Sequence, residues 1–288
     1  MNQLKSILFI VFLLSGYLVN SQKFNPPFFV FEDGLWNARS DSPEYWSDLV
    51  KKVGFDGVEL IGLDRVNGLL PELKRNNLKL FTLYIKIEID KEEPYDPRLK
   101  EYIKKLKDTG LHLWVHVHSE RYSCSDTSGD EDCVRIISEL ADYASDYGVK
   151  IAFYPHTNFW LEKVSDAVRL TEKIKMPNVG AVFNLCHFLK TDEPHNLKQT
   201  LKTAMPYLFL VSVNGADGGP DTNDMGWEQL IQPLGSGSYD VLKVLKILKE
   251  QGYNKPVGLQ RYNIKGGPEI FLEQSMNTWK KYIKEVNQ

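Results

Sequence analysis

Eight times along this chain a short apolar or β-branched run is followed by a longer stretch carrying one apolar helical stripe. That alternation constrains the fold more than any other feature. The runs fall at residues 28–31, 57–61, 80–89, 112–118, 151–154, 179–183, 208–213 and 257–259. Trp46, Leu49, Val50 and Val53 recur at i, i+3, i+4 and i+7 behind a Ser42-Pro43 start, which predicts a helix. Val241, Val244, Leu245 and Leu248 repeat the pattern. Further helices are expected over 68–76, 97–109, 134–147, 164–174, 197–204 and 269–286. Gly54, Gly110, Gly148 and Gly252 each stand between a helix and the next strand, where a left-handed residue ends the helix most easily. Strands alternating with amphipathic helices imply a parallel sheet. Eight such units, with no Gly-x-Gly-x-x-Gly after a strand, predict one α/β domain closed as a (β/α)8 TIM barrel.

The first 21 residues stand apart. Lys5 precedes an almost wholly apolar run, Ile7 to Val19, and Val19-Asn20-Ser21 supplies apolar or small residues at the −3 and −1 positions. This reads as a secretory signal peptide over 1–21, followed by the barrel over 22–288. The apolar run is short for a bilayer span, and no lipobox cysteine stands at the cleavage point. The expectation is a secreted or periplasmic protein with no membrane span in its mature part. Removing 21 residues from 288 leaves 267, a usual barrel length, and shifts the formal charge from −3 to −4 because only Lys5 is charged there. That mild acidity argues against nucleic-acid binding. Cys124 and Cys133 bracket a polar loop, and a disulfide or two free thiols are both open in an oxidising compartment. Cys186 reads as a small packed side chain.

The strand ends carry the chemistry. Phe183-Asn184-Leu185-Cys186-His187 closes an apolar strand with two polar side chains three positions apart, where a loop should begin. Tyr154-Pro155-His156, Asn214-Gly215-Ala216-Asp217 and Gln260-Arg261-Tyr262 are similar junctions. His112, Trp114, His116 and His118 share one face of the fourth strand. His118, His156 and His187 could move protons or bind a transition metal at the mouth. Glu59 lies among Val58, Leu60 and Ile61. Pointing inward it would have a raised pKa and suit acid–base work; pointing outward it would pair with a helix lysine. Lys86 and Glu88 share a parity and suit an ion pair at the rim. Trp36, Tyr154, Phe159, Trp160, Trp227 and Tyr262 crowd the expected mouth as platforms for sugar rings.

At these junctions the chain resembles the xylose isomerase-like barrels, the sugar phosphate isomerase/epimerase family that includes the type IV endonucleases acting at abasic sites. The family's Glu-Pro-His after strand five is similar to Tyr154-Pro155-His156, and its Asp-x-x-His after strand six to Asn184-Leu185-Cys186-His187. Its His-x-Lys-Asp after strand seven resembles Asn214-Gly215-Ala216-Asp217, and its closing Glu resembles Gln260. Pro233-Leu234-Gly235-Ser236-Gly237 and Glu59 match further family positions. The resemblance implies a divalent metal at four of these positions, but Tyr154, Asn184, Asn214 and Gln260 supply no charge. No cofactor is therefore expected with certainty, and a metal held by His187 and amide oxygens stays an open alternative. The resemblance implies an isomerase or epimerase working by proton transfer next to a carbonyl, and the export signal points to an unphosphorylated sugar or sugar derivative as its substrate. Glu59, His156 and His187 would be catalytic; Trp36, His118, Tyr154, Trp160, Asn184, Asn214, Asp217, Gln260 and Tyr262 would bind substrate. The alternative is a carbohydrate-binding barrel without catalysis. The oligomeric state is not legible.

Overall fold

The computed structural model describes residues 23–32, 42–262, 264 and 266–288. The signal-peptide expectation and Trp36 lie outside those residues. The elements run β1 (Phe28–Val30), α1 (Pro43–Val53), β2 (Gly57–Ile61), α2 (Val66–Arg75), β3 (Lys79–Glu88), α3 (Leu99–Lys105), β4 (His112–His118), α4 (Asp130–Ser145) and β5 (Lys150–Phe153). They continue as α5 (Val164–Ile174), β6 (Val179–Asn184), α6 (Leu185–Thr191), α7 (Leu197–Ala204), β7 (Leu208–Val213), α8 (Trp227–Leu230), α9 (Val241–Glu250), β8 (Val257–Leu259) and α10 (Pro268–Val286).

The eight strands pair in sequence order and close. Closure is parallel: Phe29 aligns with Gly57 of β2 and with Gly258 of β8. Ser42 caps α1 by accepting from the Tyr45 N–H, and Gly54 ends it at φ +102° with its N–H on the Val50 carbonyl. Gly110, Gly148 and Gly252 also adopt positive φ, as their placement predicts.

Two apolar layers follow from strand alternation. Outward residues such as Leu83, Val115, Ile151 and Val211 pack against the helices. Phe29, Phe31, Phe81, Trp114, Ala152, Tyr154, Val182 and Leu210 fill the inside. Register slips between Val58 and Glu59 and between Ala181 and Val182 leave Phe81 and Phe209 as extra residues on β3 and β7. Such bulges re-aim side chains, and here each brings a phenyl ring to the inner layer. Small neighbours make room. A Cβ on Gly180 would lie 2.7 Å from the Phe209 ring, and one on Gly258 would lie 2.6 Å from Phe31.

Phe24, ahead of β1, and Asn287, behind α10, meet at the floor, below the strand starts. The Phe24 N–H donates to Asn287 Oδ1 at 2.9 Å, and Asn287 Nδ2 donates to the Phe24 carbonyl at 2.8 Å. Among the described residues no helix is long and apolar enough to cross a membrane.

One open alternative closes here and one expectation changes. Cys124 and Cys133 are both free thiols: Cys133 turns into the core from α4, whereas Cys124 stays exposed. No loop follows β6 directly. Asn184 caps α6 at once, accepting from the His187 N–H, so strand passes into helix without a linker.

Candidate active site at the barrel mouth

The strand ends enclose a cavity of about 150 Å³ lined by Phe31, Glu59, Ile61, Tyr84, Tyr154, His156, His187, Trp227, Ile231, Gln260 and Tyr262. Of the expected site residues, it brings together Glu59, Tyr154, His156, His187, Gln260 and Tyr262.

Glu59 points inward and is 3 % exposed. Its Oε2 accepts the Glu32 N–H at 2.8 Å. Glu32 is itself fixed, since one oxygen accepts the Ile61 N–H at 2.6 Å and the other pairs with Arg65 at 2.8 Å. The carboxylate of Glu59 is thus held by the backbone just after β1. β2 and β6 lie four strands apart in the closed ring, so Glu59 faces His187 across the cavity.

His156 and His187 form the opposite wall, with ring centroids 4.0 Å apart. Phe159 stacks on His156 at 3.8 Å, and the Trp227 ring meets His187 edge-on at 5.4 Å. Burial lowers the His156 pKa to about 4 and pushes that of His187 well below the usual imidazole value. Both rings are therefore neutral near neutral pH.

Trp227 and Ile231 reach the cavity because the long loop after β7 folds back over it. Gly215 and Gln232 bridge its two limbs, and Asn214 Nδ2 donates to the Gly215 and Leu230 carbonyls at 2.7 Å each. Gly237, at φ +79°, passes so close to the Ala216 carbonyl that a Cβ would sit 2.1 Å from it.

Several expected residues do not line the cavity. Asn184 stands behind Tyr154: its amide nitrogen donates to the Tyr154 hydroxyl and its Oδ1 accepts from the Cys186 thiol at 3.0 Å. Asn214 braces the loop, as described. Asp217 also serves that loop, accepting the Ser238 N–H at 3.3 Å. His118 lies beside the mouth, with its Nε2 2.7 Å from His116 Nδ1 and its ring on Phe159 at 3.8 Å. Trp160 is not a platform. It is 2 % exposed in the outer core, and its Nε1 donates to the Asp126 carbonyl at 2.9 Å. Gln260 lines the wall, but its Oε1 accepts the Arg261 and Tyr262 N–H groups at 2.7 and 3.1 Å. Lys86 and Glu88 make the rim ion pair at 2.8 Å.

Sequence reasoning missed Phe31, Ile61, Tyr84 and Ile231. Tyr84 carried a usable signal, since it shares the parity of Lys86 and Glu88. Its ring stacks on His116 at 4.0 Å and meets Tyr154 edge-on at 5.1 Å. A larger hollow of about 310 Å³ lies between β2 and the α1–α2 pair, but none of the histidines reaches it.

A closed eight-stranded barrel with acid–base groups at its strand ends narrows the comparison. The pattern of the xylose isomerase-like TIM barrel family matches residues 47–282, and the chain belongs to that family. It is 26 % identical over 159 residues to the inosose isomerase of Halalkalibacterium halodurans, an overlap of 54 % of each protein. The chain spans about half the length of the curated relatives it matches. The crystal structure of the IOLI protein with a binding zinc atom superposes with a TM-score of 0.68 at 19 % identity, covering 90 % of this chain and 97 % of that one. L-ribulose 3-epimerase gives 0.72 at 12 % identity, covering 91 % and 96 %. At such identities the structural likeness speaks for the fold.

Proposed function

We propose that the protein is an exported isomerase or epimerase that moves a proton next to the carbonyl of an unphosphorylated sugar or sugar derivative. The observation that carries this reading is the convergence of one buried carboxylate, Glu59, and two neutral imidazoles, His156 and His187, on opposite walls of one small aromatic-lined cavity. The name of the sequence relative, inosose isomerase, points to the same reaction class.

Glu59 is the group able to take a C–H proton. The C–H electron pair becomes the C=C bond of an enolate, and the carbonyl pair moves onto oxygen. A donor fixed in the wall holds that charge without reorganising. Delivering a proton to the same carbon from the other face gives an epimer; delivering it to the former carbonyl carbon, while the hydroxyl proton passes to the enolate oxygen and its O–H pair forms the new C=O, gives an isomer. About 150 Å³ suits a compact ligand and is below the usual range for larger small-molecule sites. No Lys or Arg lines the cavity among the described residues, which supports an unphosphorylated substrate. The pattern of residues 1–21 supports export.

The divalent metal of the family does not fit this donor set. Tyr154, Asn184, Asn214 and Gln260 carry no charge to offset the dehydration of a hard cation. The amide oxygens of Asn184 and Gln260 are already turned to backbone N–H groups. Among the described residues no three His, Cys, Asp or Glu side chains are grouped to hold an ion. No step above runs through a metal.

The test is solvent exchange. A panel of free ketoses and inososes incubated with the protein in deuterated water should gain deuterium at one carbon beside the carbonyl. Glu59→Gln should slow that gain at least about a hundredfold, as loss of a general base does. A ligand that binds tightly and never exchanges would replace this reading with a carbohydrate-binding barrel.

A further inference from the structure

Thr157 sits between the two cavity imidazoles and touches both. His156 Nδ1 lies 2.8 Å from the Thr157 carbonyl oxygen. A carbonyl can only accept, so this Nδ1 carries the hydrogen and Nε2 keeps its lone pair. His187 is held the other way. The Thr157 backbone N–H donates to His187 Nδ1 at 3.3 Å, and Thr157 Oγ1 lies 3.1 Å from the same nitrogen. A backbone N–H can only donate, so this Nδ1 accepts and Nε2 carries the hydrogen. Burial keeps both rings neutral, so each has a single proton to place. With both Nδ1 atoms turned to Thr157, Nε2 is the nitrogen each ring offers the cavity.

We propose that Thr157 locks His156 and His187 in opposite tautomers, so that the cavity wall presents one acceptor nitrogen and one donor N–H matched to the adjacent hydroxyl and carbonyl of an α-hydroxyketone. The hydroxyl donates to His156 Nε2, and the carbonyl oxygen accepts from His187 Nε2–H. The recognition stands on the hydrogen-bond geometry, while its catalytic use rests on the proton-transfer reading above. In that use Glu59 takes the proton from the hydroxyl-bearing carbon, and the C–H pair forms the C=C bond. The carbonyl pair moves to the oxygen that His187 already holds. A neutral imidazole suits this task, because its N–H is aimed at charge that develops only during the reaction. Thr157 is a positioning residue: it acts through the two rings.

Long-range proton–nitrogen correlation spectra of the whole protein, labelled with 15N-histidine near neutral pH, read each tautomer without any substrate. The expected result is hydrogen on Nδ1 of His156 and on Nε2 of His187. Like tautomers, or either ring averaged between two forms, would overturn the proposal. Hydroxyacetone should shift the Nε2 signals of both rings, whereas methoxyacetone, which has no hydroxyl to donate, should shift only that of His187. An equal response to the two probes would overturn the recognition. Thr157→Val keeps the backbone N–H that makes His187 Nδ1 an acceptor and removes only the hydroxyl, so both rings should keep their opposed forms. A His187 that becomes a mixture of forms in Thr157→Val would overturn the backbone N–H as the lock. Opposed tautomers without any carbon exchange would count against the proton-transfer reading and leave the lock standing. Like tautomers with exchange would do the reverse.

Discussion

His112 closes the bottom of the barrel, where its ring meets Phe209 edge-on at 5.7 Å. Lys150 and Lys255 lie over that same phenyl ring, at 5.4 and 5.3 Å. Burial, and then the two ammonium charges, lower the His112 pKa from 6.5 to about 3. His116 is lowered to about 2 by burial and by the charges of His118, His156 and Lys86. A histidine depressed in the folded state takes up a proton on unfolding whenever the pH lies between its two pKa values. Its stabilising contribution is whole above pH ~6.5 and is lost as the pH falls toward the folded value. Each such group adds a slope of up to about 1.4 kcal/mol per pH unit. Urea unfolding should therefore show stability dropping between pH 6.5 and 4.5, and His112→Leu should lower that slope by about one proton. An unchanged slope would mean that His112 is already protonated in the fold. At this scale the sequence was partly legible. Strand parity put His116 on one face with Trp114 and His118 without saying which way that face turns. It left the direction of Glu59 open, because β2 is covered on both faces and its apolar neighbours look alike from either side. Trp160 was misplaced for a related reason: an aromatic ring near a strand end serves a loop's internal packing as readily as a ligand.

Four strand ends carry neutral side chains tied into hydrogen bonds: Tyr154, Asn184, Asn214 and Gln260. Asn184 shows the effect best, since one amide caps α6, accepts the Cys186 thiol and donates to Tyr154. An aspartate there could accept but not donate, and a glutamate at 154 would stand against it. Introducing Tyr154→Glu, Asn184→Asp, Asn214→His and Gln260→Glu together should thus lower the melting temperature without metal. Manganese should raise it again, by several degrees for each kcal/mol of linked binding. A folded variant whose melting temperature ignores manganese would show that these strand ends do not converge on a metal site. Element existence was well marked in the sequence, by glycine stops and helical stripes. The helices α6 and α8 were not, because they span only seven and four residues and so lack room for a periodic stripe. The Cys124–Cys133 pair was open for another reason: spacing along a loop does not say which way a thiol turns.

The whole barrel depends on large and small residues meeting inside it. Phe29 and Phe31 fit because Gly258 faces them, and Phe209 fits because Gly180 does. Gly258→Ala should cost about 1–3 kcal/mol by overpacking, visible as a lower urea midpoint with an unchanged slope. It should also weaken ligand binding, since the displaced Phe31 lines the cavity. A stability equal to the parent's would show that the inner layer is looser than these contacts describe. This pairing could not be read from one chain, because residues 29 and 258 meet only once the ring closes. The same closure brings Phe24 and Asn287 together at the floor. The consequence is directional. The chain enters the fold at Phe24 and leaves it at Asn287 on the side opposite the mouth, so a copy held by that face would keep its opening outward, and diffusing molecules would reach it without passing the attachment.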